Sequence, residues 1–340
     1  MFGCDMGIDL GTASVLVYVS GRGIVLHEPS VVAINQETGG VLEVGSAARQ
    51  MLGRTPGTVV AMRPMKDGVI SDYDVTEKML RYFIRKVVGK SVFARKPRVA
   101  ICVPAASTAV QRRAVEDAAR EAGARQVFLI EEPIAAAIGA GIDITAARGS
   151  MLLDVGGGTT DVAVIALGGI VKSTCIKVAG NAMDDAIQSY IRRRWGLLIG
   201  ERTAEEIKIA VGSAYPKLSN ETMEIRGRSL VSGLPENRLV TSRDIARAIA
   251  EPVFAIMRAV HGVLEVTPPE LAADIADRGI VMTGGASLLH GLNVLLAERM
   301  GIDAVLAEDP IACVASGTGK FVEHIARHNA KDFLEAKVFR

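Results

Sequence analysis

Apolar and polar positions follow two rhythms along this chain. Short apolar runs, Val99 to Val103, Val127 to Ile130 and Met151 to Val155, read as buried strands. Longer stretches with helical spacing separate them. In Ser107 to Ala122, for example, Val110, Ala114, Ala118 and Ala122 recur opposite a charged face. Ser107 can cap that helix and Gly123 can stop it. Strands alternating with helices predict an α/β fold. The interval from Gly212 to Arg238, rich in Gly, Pro, Ser and Asn, reads instead as the short strands and turns of a small subdomain.

One pattern occurs twice. Asp9-Leu10-Gly11-Thr12 precedes the apolar run Val15 to Val19, and Asp154-Val155-Gly156-Gly157-Gly158-Thr159 precedes Val162 to Ile165. Each reads as strand, glycine turn, strand, so two related halves are predicted. A phosphate needs several N–H donors at close range, and Gly11, Gly156, Gly157 and Gly158 let the backbone approach one. Thr12, Ser14, Thr159 and Thr160 add hydroxyls, while Asp9 and Asp154 could hold a magnesium ion through water. Either loop alone is as readily an ordinary hairpin turn; repetition with a matching Asp favours a clamp on one triphosphate. A third glycine turn, Thr283-Gly284-Gly285-Ala286-Ser287, follows the strand Gly279 to Met282 and leads into an apolar helix expected to begin near Leu288. It suits backbone contact with a nucleoside, although taken alone it is better read as a plain strand-to-helix connection.

Composition sets limits on this picture. At 340 residues the chain exceeds the usual size of one core, so two domains or large lobes are expected. Apolar residues at 49% and charged residues at 23% fit a globular protein, and 4% aromatics make its core aliphatic. A net charge of +1 gives no global attraction to nucleic acid. The scattered Cys4, Cys102, Cys175 and Cys313 fit a reducing cytosol, and neither a signal peptide nor a membrane-spanning run is expected. Charge is nevertheless uneven: from Lys78 to Arg98 there are eight basic residues and no acidic one, around the apolar pair Val92-Phe93. That pair reads either as a loop tip able to dip into an anionic membrane or as side chains packed inward beside a solvated basic helix.

Gly7-Ile8-Asp9-Leu10-Gly11-Thr12, Asp154 to Asp161 and Thr283-Gly284-Gly285, in this order, resemble the phosphate-1, phosphate-2 and adenosine motifs of the actin, Hsp70 and sugar-kinase superfamily. Within it the chain resembles the MreB/Mbl family of bacterial actin homologues from end to end. The strings that carry this are Glu28-Pro29-Ser30-Val31-Val32, Arg63 to Ile70, Ile199 to Glu205, Pro268-Pro269-Glu270-Leu271 and Val314 to Gly319. The resemblance implies an actin-like fold of two lobes, each with a βαβ-rich core and a smaller inserted subdomain. Residues 1–32, 66–145 and 310–340 would form subdomain IA, 33–65 IB, 146–180 and 241–309 IIA, and 181–240 IIB.

By the same resemblance, Gly11, Thr12, Ala13, Ser14, Gly156, Gly157, Gly158 and Thr159 would surround the phosphates. Glu205, Glu206, Ile207, Lys208, Gly284, Gly285, Ala286, Ser287 and Leu288 would surround the adenosine. Without the family, Glu205 and Lys208 read as a solvated ion pair. Glu131 of Glu131-Glu132-Pro133 would orient the attacking water and Thr160 would position the γ-phosphate. Two positions depart from the pattern: Ser14 stands where Asn is usual, and Ala286 where a third glycine is usual. An added Cβ at Ala286 is costly only at positive φ, so nucleotide affinity and hydrolysis rate stay open.

The implied protein is a slow ATPase that uses ATP and magnesium and assembles as a homopolymer of paired protofilaments. It would lie in the cytoplasm against anionic inner-membrane lipid, touched through Val92 and Phe93. With membrane proteins of the cell-wall elongation machinery it would determine cell shape. The residues do not separate MreB from its paralogue Mbl, although Asp161 leans towards Mbl. A metabolic kinase of the same superfamily would need a catalytic aspartate by a sugar pocket, and none is evident. An Hsp70-type chaperone would need a peptide-binding domain for which few residues follow Pro310. A nucleotide-binding scaffold without hydrolysis is the third alternative.

Overall fold

The computed structural model describes residues 5–89, 96–215 and 219–327. The expected membrane pair, Val92 and Phe93, lies outside the described residues. The first half runs β1 (Met6–Leu10), β2 (Ser14–Val19), β3 (Gly23–Pro29), β4 (Val32–Asn35), β5 (Val41–Val44), α1 (Ser46–Met51), β6 (Val59–Met62), β7 (Met65–Lys66) and β8 (Val69–Ile70). It continues through α2 (Tyr73–Val88), β9 (Arg98–Val103), α3 (Ala109–Glu121), β10 (Gln126–Glu131) and α4 (Glu132–Gly139). The second half begins β11 (Ser150–Val155), β12 (Thr160–Ala166), β13 (Gly169–Ile176), α5 (Gly180–Trp195), β14 (Leu197–Leu198) and α6 (Glu201–Val211). Then follow β15 (Thr222–Ser229), β16 (Pro235–Thr241), α7 (Ser242–Ala248), α8 (Ala250–Glu265) and α9 (Pro269–Arg278). The last elements are β17 (Ile280–Thr283), α10 (Leu292–Met300), β18 (Ala304–Leu306) and α11 (Cys313–Arg327).

Two five-stranded sheets share one plan. In the first, β1, β2 and β3 form an antiparallel meander, and β9 and β10 add in parallel beside β1, giving the order β10-β9-β1-β2-β3. In the second, β11, β12 and β13 form the meander, and β17 and β18 add in parallel beside β11. The repeated sequence pattern is therefore the central hairpin of a repeated sheet. Each sheet has a satellite of three strands, β5-β4-β6 in the first lobe and β14-β15-β16 in the second. The latter places β15 and most of β16 in the stretch from Gly212 to Arg238 that reads as short strands and turns, with β16 running on to Thr241.

Each lobe has its own core. Met6, Ile8, Val17, Leu80, Phe83 and Ile101 anchor one, and Leu153, Val164, Met183, Ile187, Ile256 and Leu296 the other. A third cluster belongs to both, because α4 and α11 bring Ile134, Ala135, Val314 and Phe321 against Ala100 of β9 and Leu152 of β11. These two helices cross where a Cβ on Gly317 would overlap the Ala135 carbonyl oxygen. The lobes are thus joined through a close-packed helix pair rather than a loose linker.

Three local expectations shift. Helix α3 is capped by Thr108 and not Ser107: the Thr108 hydroxyl accepts from Gln111 N while the Gln111 side chain accepts from Thr108 N. Its buried stripe is Val115, Ala118, Ala119 and Ala122, while Val110 is 79% exposed. A strict i+4 repeat drifts about 40° per step around a helix of 3.6 residues per turn, so it leaves the buried face by Val110. After β17 the chain makes a 3₁₀ turn over Gly285–Leu288, and α10 begins only at Leu292. Among the described residues no helix is long and apolar enough to cross a membrane.

Candidate functional site

The two glycine hairpins close in the same way. Gly11 N donates to Ser14 O at 3.1 Å, and Gly156 N donates to Thr159 O at 2.9 Å. Each turn projects from the central hairpin of its sheet, and the two turns face one another: a Cβ on Gly158 would come within 2.6 Å of Thr12 Oγ1, and one on Gly157 within 2.5 Å of Ala13 Cβ. Thr12 Oγ1 also accepts from Gly68 N at 3.0 Å. The second turn is braced from behind by α5, whose Gly180 N and Asn181 N donate to the carbonyls of Gly156 and Gly157 at 3.1 and 2.7 Å. The third turn closes the ring. Gly284 has φ +84°, and a Cβ there would overlap the Val155 carbonyl oxygen, so this approach requires glycine. Around these turns lies a cleft of about 680 Å³ between the lobes, the size of a cofactor site.

Carboxyl groups crowd the cleft floor. Asp9, Glu132 and Asp154 line it, and Asp161 stands opposite Asp154 across the β11–β12 pair. Burial pushes Asp9 up to about 6, against a hydrogen bond from the Cys102 thiol. Burial together with the charges of Asp161 and Asp9 pushes Asp154 up to about 8. Glu132 is raised well above the usual carboxyl range by burial first and then by Asp161, Asp154 and Asp9. Asp154 Oδ2 and Asp161 Oδ1 are buried without a hydrogen-bond partner. Buried acceptors without a donor are costly, and this donor set fits a hard cation such as magnesium. Among the described residues no three His, Cys, Asp or Glu side chains form a group able to grip a metal directly, so water would complete the shell.

Many of the expected site residues meet here. Asp9, Asp154, Gly11, Thr12, Ala13, Ser14, Gly156, Gly157, Gly158, Thr159, Glu205, Lys208, Gly284, Gly285, Ala286 and Leu288 all line the cleft. Ala286 is not at positive φ, so its methyl group carries no backbone strain. Five expected residues do not reach it. Glu206 lies on the outer face of α6, where Arg202 Nε donates to it at 2.8 Å, and Ile207 is buried in the core of the second lobe. Ser287 turns its hydroxyl onto Gly284 O at 2.6 Å, and Thr160 donates to Val178 O at 2.7 Å. Glu131 is drawn aside by Arg112 of α3 at 2.8 Å, whereas its neighbour Glu132 enters the cleft. Glu131 ends β10 and Glu132 begins α4, so the change from strand to helix sends consecutive side chains in different directions.

Glu205 and Lys208, which without the family read as a solvated ion pair, do not pair with each other. Lys208 Nζ donates to Asp184 Oδ2 at 2.8 Å and to Gly180 O at 3.0 Å, while Glu205 pairs with Arg49 of the opposite lobe. Arg49, Gly68, Asn181 and Glu132 line the cleft without having been expected there. Two of them had a signal available: Gly68 lies in the family-like string Arg63 to Ile70, and Glu132 is the second acid of Glu131-Glu132-Pro133.

Known proteins share this arrangement. Among solved structures, MreB5 of Spiroplasma citri bound to ADP superposes with a TM-score of 0.91 at 38% identity, covering 96% of this chain and 98% of that one. The same protein bound to AMPPNP gives 0.91 at 37%. A chain of the MamK double helical filament, at 23% identity, shares the fold with a TM-score of 0.81. The fold is therefore actin-like. The cell shape-determining protein Mbl of Bacillus cereus is 54% identical over 327 residues, 96% of this chain and 98% of its own length. The cell shape-determining protein MreB of Escherichia coli is 54% identical over 339 residues, 98% of each. The family model described as MreB/Mbl protein matches residues 3–330, and with half the positions identical to such relatives across nearly the whole length, the chain belongs to the MreB/Mbl family.

Proposed function

We propose that this chain is an ATP-dependent, filament-forming cytoskeletal protein that determines cell shape from the inner face of the cell membrane, organising cell-wall synthesis with membrane-bound partners. The observation that carries the reading is the pair of identically closed glycine hairpins facing each other across the cleft, above Asp154, whose Oδ2 has no partner among the described residues. Backbone N–H groups of the two turns suit the phosphates. Lys208, Glu205 and the Gly284 turn suit the nucleoside.

Asp9 and Asp154 would hold magnesium through water, and the ion would supply charge to neutralise the phosphates. Glu132 is the residue placed to orient the attacking water, since Glu131 is engaged by Arg112. A relative solved with ADP and with AMPPNP supports an adenine nucleotide in this cleft. Relatives that determine cell shape, at 54% identity, support the cellular role. Because both lobes line the cleft, ATP bound between them would favour the closed, assembly-competent form, and hydrolysis would weaken it.

The test is electron microscopy of the purified protein on an anionic lipid monolayer with ATP and magnesium, with ADP, and without nucleotide. Lipid-bound filaments that depend on ATP are expected. Monomers in every condition, together with phosphate transfer to a sugar, would replace this reading with that of a metabolic kinase.

A further inference from the structure

Two family-like strings, Arg63 to Ile70 and Ile199 to Glu205, are only partly explained by the nucleotide cleft, because Arg63 and Glu201 do not line it. The structure brings them together across the two lobes. Arg63 Nε and Nη2 both donate to Glu201 Oε1, at 3.0 and 2.5 Å. One helical turn further along α6, Glu205 accepts from Arg49 of α1. Both arginines belong to the part of the first lobe that holds the sheet β5-β4-β6, and both glutamates lie on the first two turns of α6 in the second lobe. Arg49 and Glu205 line the cleft, so their pair is part of its wall, and the Arg63–Glu201 pair lies outside it as a second closure.

We infer that these two pairs form a clasp across the cleft mouth, and that nucleotide exchange waits on its opening. The reasoning is geometric. Each pair joins residues that share no secondary-structure element or sheet, so the pairs are tied only to the relative position of the lobes. The joint between the lobes is the tightly packed α4–α11 crossing, which lets the satellite sheets swing about it while the crossing itself stays fixed. Charges holding the moving ends together therefore bias the equilibrium towards closure. The other cross-lobe ion pair among the described residues, Lys177–Asp67, is looser at 4.0 Å and leads back from the mouth beside Gly68. Because the clasp residues are partly exposed, salt should weaken them.

The inference rests on the cleft being the nucleotide site, and the test separates the two. Release of a fluorescent ATP analogue from the full-length protein is followed by stopped flow after mixing with excess unlabelled ATP, below the concentration at which filaments form. Arg63→Ala should speed release about two- to five-fold, the range for a partly exposed ion pair. Glu201→Ala should do the same, and the double variant should be no faster than either single one. The exchanged pair, Arg63→Glu with Glu201→Arg, should slow release again. Raising salt should speed release from the parent, and speed it less in the double variant, which keeps only the Arg49–Glu205 pair. An unchanged rate in both single variants, or additive effects in the double one, would overturn the clasp while leaving the nucleotide site intact. A parent protein that binds no analogue would overturn both.

Discussion

Among the described residues no base pairs with Glu132 at the cleft floor, and burial and three other carboxyls push against its ionisation. A side chain in that position acts on water only while something else relieves the surrounding negative charge, which ties its chemistry to the loaded site. Glu132→Ala should therefore slow single-turnover phosphate release by about 10²- to 10⁴-fold, the usual contribution of a positioned base. Glu131→Gln should change it only slightly, since Glu131 answers to Arg112 instead. Equal losses in the two variants would reverse the assignment. Asp154 gives a second prediction. Its carboxyl is held at about 8 against an ordinary 3.8, so over that interval the folded chain retains a proton that the unfolded chain has released. By linkage this contribution is complete below the ordinary value and is lost as pH rises through about 8. The nucleotide-free protein should thus melt at progressively lower temperature from about pH 5.5 to 8.5, and magnesium with ADP should raise the melting point most at the alkaline end. A thermal-shift series across pH reads this directly, and a rising slope would contradict it. The paired glycine hairpins were legible at this scale because glycine and aspartate recur in order. The acidic pair Glu131-Glu132 was visible too, but not which of the two enters the cleft, because a one-residue change of side-chain direction at the β10–α4 boundary leaves no trace in composition.

At the level of elements, the strands that build the site were plain in sequence. Runs such as Met151 to Val155 are apolar because β11 is covered on both faces, and every residue of Ser150–Val155 is buried. The cap of α3 and the late start of α10 were less legible. Both are decided by hydrogen bonds that several neighbouring residues could have made: Thr108 competes with Ser107, and Gly291 at φ +71° delays the helix beyond the 3₁₀ turn. The α4–α11 crossing was also hidden, because contact between helices so far apart in sequence has no local signature. Its energetics are testable. Gly317→Ala must displace the Ala135 carbonyl and should cost about 1–3 kcal/mol or more, as overpacking does. Gly262→Ala, on the exposed face of α8 with open space around its Cβ, should stabilise by about 0.5–1 kcal/mol. Urea unfolding of both variants would show the contrast, and a neutral Gly317→Ala would mean that the helix pair is not the rigid joint described.

For the molecule as a whole, the count of eight basic residues between Lys78 and Arg98 overstates the charge available to a membrane. Arg81 pairs with Glu77, Lys86 with Glu28 and Arg98 with Asp5, while Lys78 donates to Gly39 O at 2.9 Å. Among the described residues of this stretch, that leaves Lys78, whose partner is a neutral carbonyl, Arg85 and Lys96 for an anionic surface. At about 1 kcal/mol each near such a surface, with roughly 1.5–3 kcal/mol for burying a phenylalanine, one subunit of the proposed filament would bind weakly and reversibly. A filament would change this, because every subunit already attached would raise the effective concentration of the next. Membrane binding should therefore follow assembly and depend on the apolar pair more than on the helix before it. Replacing Val92 and Phe93 together by serine should leave ATP-dependent light scattering intact while abolishing co-sedimentation with anionic vesicles. Arg85→Ala alone should weaken co-sedimentation only modestly, and more at low salt than at high salt. If the double-serine protein still pelleted with vesicles, contact would have to come from another face of the filament. If it no longer scattered light, the pair would belong to assembly and not to lipid.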